Sequence, residues 1–181
     1  YLYSILIMVG LSFMAHSQTE HTNEEDLNEQ EEKHSLGIVI SHSFISQGII
    51  DNKREWLAAP SFGLNYNYKL NDKWSIGLHN DIIIESFIVE NAEDSEEILE
   101  REFPISNLIV GTYKVTEAFG IALGTGVEWE KNASFALIRI GVDYAVGLRN
   151  KSIEVAFSIN YDSLINAYDS FNFGLGINKS F

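Results

Sequence analysis

The sequence predicts an all-β fold, an eight-stranded antiparallel up-and-down barrel, and three observations carry that prediction. Apolar and polar residues alternate with a period of two through most of residues 36–181. The alternating segments approach the ~9–11 residues that a tilted membrane strand needs. Their connections alternate in kind, short polar turns on one side and longer loops on the other.

The 181 residues fit one domain, and the net charge of -14 is concentrated rather than spread. Glu20–Lys33 and Glu90–Glu102 each hold seven acids and one base, so together they carry nearly all of it. No basic stripe exists to neutralise phosphates, which excludes nucleic acid as a partner. The absence of cysteine excludes disulfides and thiolate metal sites.

The apolar run Leu2–Ala15 ends in Ala15-His16-Ser17, small residues at the spacing a signal peptidase reads. Residues 1–17 are therefore expected to be a signal peptide, because the run is shorter than the ~20 residues of a membrane-spanning helix. Residues 18–35 hold almost no apolar side chains and read as an acidic, disordered periplasmic segment. His21 and His34 flank its acids without a fixed ligand spacing. The barrel itself is expected over 36–181.

Strands are expected near 36–47, 60–70, 74–90, 103–115, 118–130, 134–148, 152–162 and 170–181. In the second, Phe62, Leu64, Tyr66, Tyr68 and Leu70 alternate with Gly63, Asn65, Asn67 and Lys69. The fourth breaks phase, since Phe103 and Ile105 have one parity and Leu108 and Val110 the other, and a bulge near Ser106-Asn107 would reconcile them. Pro104 suits a strand start, where no ladder donor is lost. The fifth sets Phe119, Ile121, Leu123, Val127 and Trp129 against Gly120, Ala122, Gly124, Gly126, Glu128 and Glu130. The sixth opposes Ala136, Ile138, Ile140, Val142 and Tyr144 to Leu137, Arg139, Gly141 and Asp143, and the seventh Ile153, Val155, Phe157 and Ile159 to Glu154, Ala156, Ser158 and Asn160. In the last, Phe171, Phe173, Leu175, Ile177, Lys179 and Phe181 oppose Asn172, Gly174, Gly176, Asn178 and Ser180. Tight turns are expected at 71–73, 116–117 and 149–151, longer loops at 48–59, 91–102 and 163–169, and a short connection at 131–133.

The faces predict where the barrel lives. Small residues with a few charges suit a crowded lumen, and uninterrupted Leu, Ile, Val and aromatics suit lipid, so the barrel is expected to be transmembrane. Aromatics fall in two girdles: Tyr66, Tyr68, Trp74, Tyr113, Phe119 and Phe181 by the short turns, and Phe44, Trp56, Trp129, Phe135, Tyr161 and Phe171 by the long loops. With this pattern residues 36–181 resemble the small outer-membrane β-barrel proteins of Gram-negative bacteria, the OmpA-transmembrane, OmpX and OmpW-like, porin-like group. The carboxy-terminal strand carries the most specific likeness, because Phe173, Leu175, Ile177 and Phe181 resemble the signal read by the barrel-assembly machinery. Lys179 departs from the usual apolar residue two before the end, although a rim lysine can snorkel. The resemblance implies export to the outer membrane, assisted insertion among lipid and lipopolysaccharide, a periplasmic amino terminus and no reaction.

The lumen-facing register collects Lys69, His79, Asp81, Glu85, Glu128, Glu130, Arg139, Asp143 and Glu154. Bases there should pair with neighbouring carboxylates, since an unpaired charge in a narrow lumen is costly. His79 and Asp81 are the metal-ligand candidates; Glu85 lies roughly 20 Å along the strand from His79 and cannot join them. No cofactor is expected. His42 and Ser43 are adjacent and must point to opposite faces, which spoils a nucleophile and base pair, so no catalytic residues are assigned. The acidic loop at 90–102 would sit outside the cell, where it could recruit divalent cations, and Ile98-Leu99 hints at a protein contact. The expected role is structural or interactive, in membrane stability or as an accessory subunit of an outer-membrane complex. The alternatives are a narrow pore, a lipid-modifying barrel enzyme and a soluble secreted carrier barrel.

Overall fold

In the computed structural model, residues 32–51, 53–91, 98–131, 133–148 and 152–181 are described. The expected signal peptide, most of the acidic segment after it and the Arg149–Lys151 turn lie outside those residues. Ten strands follow in order: β1 (His34–Ile50), β2 (Lys53–Lys69), β3 (Trp74–Ile83), β4 (Ser86–Glu90), β5 (Ile98–Glu102), β6 (Ile105–Lys114), β7 (Phe119–Trp129), β8 (Ser134–Gly147), β9 (Ile153–Leu164) and β10 (Asp169–Ser180). Eight of them, all but β4 and β5, form an antiparallel ring that closes where β10 pairs with β1. That seam runs from Ser35 opposite Ser180 to Ile45 opposite Ser170. At its foot, the His34 and Phe181 amides each donate to the other residue's carbonyl, at 3.1 and 2.8 Å. The barrel thus begins two residues earlier than expected, with His34 and Ser35 paired to Tyr68 and Asn67.

The alternation sorts onto two faces. Ile38, Ile109, Leu123 and Ile177 project outward and are about 60% exposed. Ser43, Ser61, Ser106, Arg139, Asp162, Ser170 and Asn172 are buried within. A soluble carrier barrel has the reverse arrangement, so this exterior belongs in hydrocarbon. Aromatic clusters mark its two rims: His34 sits against Tyr66, Tyr68 and Phe181, and Trp74 against Tyr113, at the turn end; Trp56, Tyr161 and Phe171 group at the other.

The tight turns are built by side chains that satisfy free amides. Asn71 Oδ1 accepts from the Lys73 and Trp74 amides, and Thr116 Oγ1 from that of Phe119. On the opposite side the expected loop at 48–59 is instead an extension of β1 and β2 past the rim, reversing at Asp51, whose φ is +50°. The β1–β2 register shifts between Ile45 and Gly48, the bulge that lets this extension bend.

The expected bulge in 103–115 does not occur. The β3–β6 register runs unshifted from Ile105 to Tyr113. Phe103 instead adopts a left-handed φ of +46° where the chain passes from β5 to β6. Leu108 and Val110 therefore face the lumen, fully buried, opposite Gly126 and Gly124 of β7. The glycines make that room. A Cβ on Gly124 would lie 2.9 Å from Val110 Cγ2, and one on Gly126 would lie 2.7 Å from Leu108 Cα and closer still to the Asn107 carbonyl. Phe135 is a second correction: its parity is that of Leu137 and Arg139, so it packs inward against the buried cluster and is not a girdle residue.

Three outcomes follow. Leu123→Arg places a cation near mid-strand on the lipid face and is expected to destabilise the barrel in vesicles by about 2–4 kcal/mol, read from urea unfolding midpoints. Gly126→Ala should cost roughly 1–3 kcal/mol by overpacking in the same assay. Gly147→Ala, where no atom of the described residues lies within 4 Å of the added carbon, should leave the midpoint unchanged.

Candidate functional site

Arg139 of β8 lies at the centre of the lumen. Its Nε and Nη2 donate to Asp162 Oδ1 and Oδ2, both at 2.6 Å, a bidentate fork onto the neighbouring strand β9. Its Nη1 pairs across the barrel with Asp81 of β3 at 2.8 Å. Asn172 of β10 donates to Asp162 at 2.8 Å. One guanidinium thereby braces three strands, and Gly63, opposite Asp81, leaves space for the carboxylate that a Cβ would meet at 2.5 Å. Beside this brace lies a cavity of only about 50 Å³.

Toward the turn end the lumen widens into a vestibule of about 300 Å³, lined among others by Lys69, His79, Lys114, Asp143 and Glu154. His79 Nε2 is 3.0 Å from Asn67 Oδ1. Lys69 pairs with Asp72 at 2.9 Å, and that hydrogen bond and charge hold the Asp72 carboxyl below its usual range. His79 and Asp81 share a face, but Asp81 is committed to Arg139, and among the described residues no group of three or more potential ligands gathers. Glu85 requires correction. It falls at the break between β3 and β4, where strand alternation ends, and is exposed outside the lumen. His42 lies exposed on the outer face and Ser43 buried within, hydrogen-bonded to Ser61 at 3.0 Å.

The other mouth is roofed by the β4–β5 hairpin, part of which sequence reasoning assigns to a loop. β4 takes the edge of β1 above the end of β10, at Gly48 opposite Val89. Val89 and Phe87 are buried, and Phe87 meets Tyr168 edge-on at 5.7 Å. From β5, Arg101 turns down into the mouth and is 1% exposed. Its Nη2 donates to Glu128 Oε1 at 2.7 Å and its Nη1 to the Ala133 carbonyl at 3.1 Å. Nη1 also lies 3.6 Å from Glu130, and the guanidinium stands 5.0 Å over the Phe135 ring. Tyr168 donates to both Glu128 oxygens at 2.8 Å; burial and then the Glu128 charge push its hydroxyl well above the usual range. Sequence reasoning missed Arg101 and Tyr168, and it left Asp162 out of the lumen set although its parity is that of Glu154. For Arg101 the signal available was a lone base in an acidic run.

These features, a closed ring of eight strands with an apolar exterior and a charge-filled interior, are those of a membrane barrel. Its fold is that of a small bacterial outer-membrane β-barrel. No protein-family model matches this sequence, and no curated protein matches it. Ail, the attachment invasion locus protein of Yersinia pestis, solved in complex with the heparin analogue sucrose octasulfate, is similar in structure with a TM-score of 0.51. The identity is 14%, over 82% of this chain and 98% of that one. Neisserial surface protein A is similar at a TM-score of 0.47 and 11% identity, over 82% and 97% of the two chains. For the outer-membrane protein OprG of Pseudomonas aeruginosa the values are 0.46 and 12%, over 83% and 97%. The likeness is one of architecture, and the lumen chemistry stands on this chain's own residues.

Arg139→Ala strands Asp81 and Asp162 without their counter-ion in a narrow interior. It is expected to cost about 3–5 kcal/mol, seen as a lower urea midpoint and a lower temperature at which the folded band is lost on an unheated-sample gel.

Proposed function

We propose that this protein serves in the outer membrane as a closed, non-conducting barrel with a structural or interaction role, in membrane stability or as an accessory subunit of a membrane complex. The observation that carries the reading is the double occlusion of the lumen. The Arg139 brace fills its middle beside a cavity of about 50 Å³, and the Arg101 hairpin roofs its mouth. An eight-stranded barrel has room for side chains and little else. The surfaces left to act are the lipid belt and the protruding strands on the loop side. There the belt would meet lipid and lipopolysaccharide, and Ile98, about 60% exposed beside the acidic run, offers a protein contact. Phe173, Leu175 and Ile177, outward on β10, and Phe181 just past its end are the residues we assign to recognition by the barrel-assembly machinery. The reading assigns no reaction; the central side chains Arg139, Asp81 and Asp162 are committed to bracing one another.

A narrow pore is the second reading, favoured by the polar vestibule of about 300 Å³ at the turn end. Planar-bilayer recording separates the two. The purified protein is expected to leave the membrane electrically silent. Reproducible unitary currents from the unmodified chain would replace the closed barrel with the pore.

A further inference from the structure

The groups that hold Arg101 have the chemistry of a receptor for a guanidinium. Glu128 and Glu130 supply charge, the Ala133 carbonyl an acceptor, Tyr168 orients Glu128 from behind, and the Phe135 ring receives the cation's face. Every one of them belongs to the barrel strands β7 and β8 or to the connections beside β8 and β10, whereas the guanidinium arrives on a separate hairpin. That hairpin is held to the barrel wall by side chains far more than by backbone pairing. Above its junctions with β3 and β6, and among the described residues, a single backbone bridge from Gly48 to Val89 joins it to the barrel's own strands; the rest is side-chain contact, from Phe87, Val89 and Leu99 in the apolar cluster, the Arg54–Glu90 ion pair at 3.7 Å and Arg101 itself. One of its junctions, Phe103, holds a left-handed backbone that bulky residues avoid. Among the described residues Arg101 Nε, desolvated with its side chain, has no hydrogen-bond partner. That deficit burdens the closed state and need not burden a free guanidinium, which can tilt to suit the same acceptors.

We propose that the mouth is a guanidinium-binding site occupied in cis by Arg101, and that a guanidinium from another molecule, a small solute or an arginine side chain, binds there when the β4–β5 hairpin lifts. Removing the resident arginine should therefore create a binding site rather than merely a defect. The site does not depend on whether the barrel conducts.

The test uses chemical rescue of the full chain refolded in detergent micelles. Arg101→Ala is expected to melt below the unmodified protein, and millimolar methylguanidine should raise its melting temperature saturably, with tetramethylammonium at equal concentration having no such effect. Glu128→Gln in the same background should abolish the rescue. Because Arg101→Ala could fail to refold, a second variant replaces residues 86–102 with a two-residue turn, joining β3 to β6 where the Ile83 amide already bonds the Pro104 carbonyl. Isothermal titration of methylguanidine into this lidless barrel should give saturable binding, weaker or absent in the unmodified protein, where Arg101 competes. A blocked glycine-arginine-glycine peptide forms the second arm. Its binding to the lidless barrel identifies an arginine side chain as a ligand, and binding of methylguanidine alone confines the site to small solutes. Methylguanidine acting no better than tetramethylammonium on whichever variant folds would overturn the proposal.

Discussion

Every backbone amide and carbonyl in a bilayer must find its partner within the protein, and the seam between β1 and β10 is where this chain meets that demand. Unclosed, the ring would present two rows of free donors and acceptors to hydrocarbon, each costing several kcal/mol. Closure from Ser35–Ser180 to Ile45–Ser170 removes both edges at once. It also dictates what the other strands can carry. With eight strands the circumference is small, so a bulky inward side chain such as Leu108 needs a glycine opposite it, and a long polar one such as Arg139 spans the lumen and fills it.

The charged residues inside follow from that narrowness. A lumen too small for bulk water cannot solvate an isolated carboxylate, and Asp81 and Asp162 persist there because Arg139 reaches both. The same three side chains come from β3, β8 and β9, so the ion cluster fixes strands on opposite walls relative to each other while the ladders fix neighbours. Glycine plays the complementary part. Gly63, Gly124 and Gly126 sit opposite the bulkiest inward groups, and each absent Cβ is occupied by a neighbour's side chain or backbone.

The ring of eight strands was legible because alternation is a local property that lipid and lumen impose alike on every strand. Lys69, His79, Asp81, Glu128, Arg139, Asp143 and Glu154 all carry lumen parity, and parity can be read one strand at a time. What escaped were the places where parity and chemistry part. Leu108 and Val110 face inward although apolar, because the room they need is made by glycines on another strand, and no window of β6 contains that fact. Phe135 looks like a rim aromatic by position, yet one residue of phase turns it into the lumen. Glu85 keeps the parity of β3 but falls just beyond its end. Arg101 lies in a run of acids that reads as solvated loop, and only the crossing of β4 to the edge of β1 brings it over Glu128.

Two arginines thus occupy one lumen by the same chemistry, and their attachments differ. Arg139 stands on a strand hydrogen-bonded on both sides, so its fork to Asp162 can change only if the barrel itself deforms. Arg101 stands on a two-stranded hairpin whose link to the wall above its hinges is one bridge and a few side chains. A short hairpin with one covered face is marginal by itself, so its position depends on what its side chains bury. The closed mouth is in that sense a bound state of the molecule with its own arginine as ligand. Such a contact is stable while the hairpin stays down, and open to competition from any group that offers the barrel the same fork without the tether.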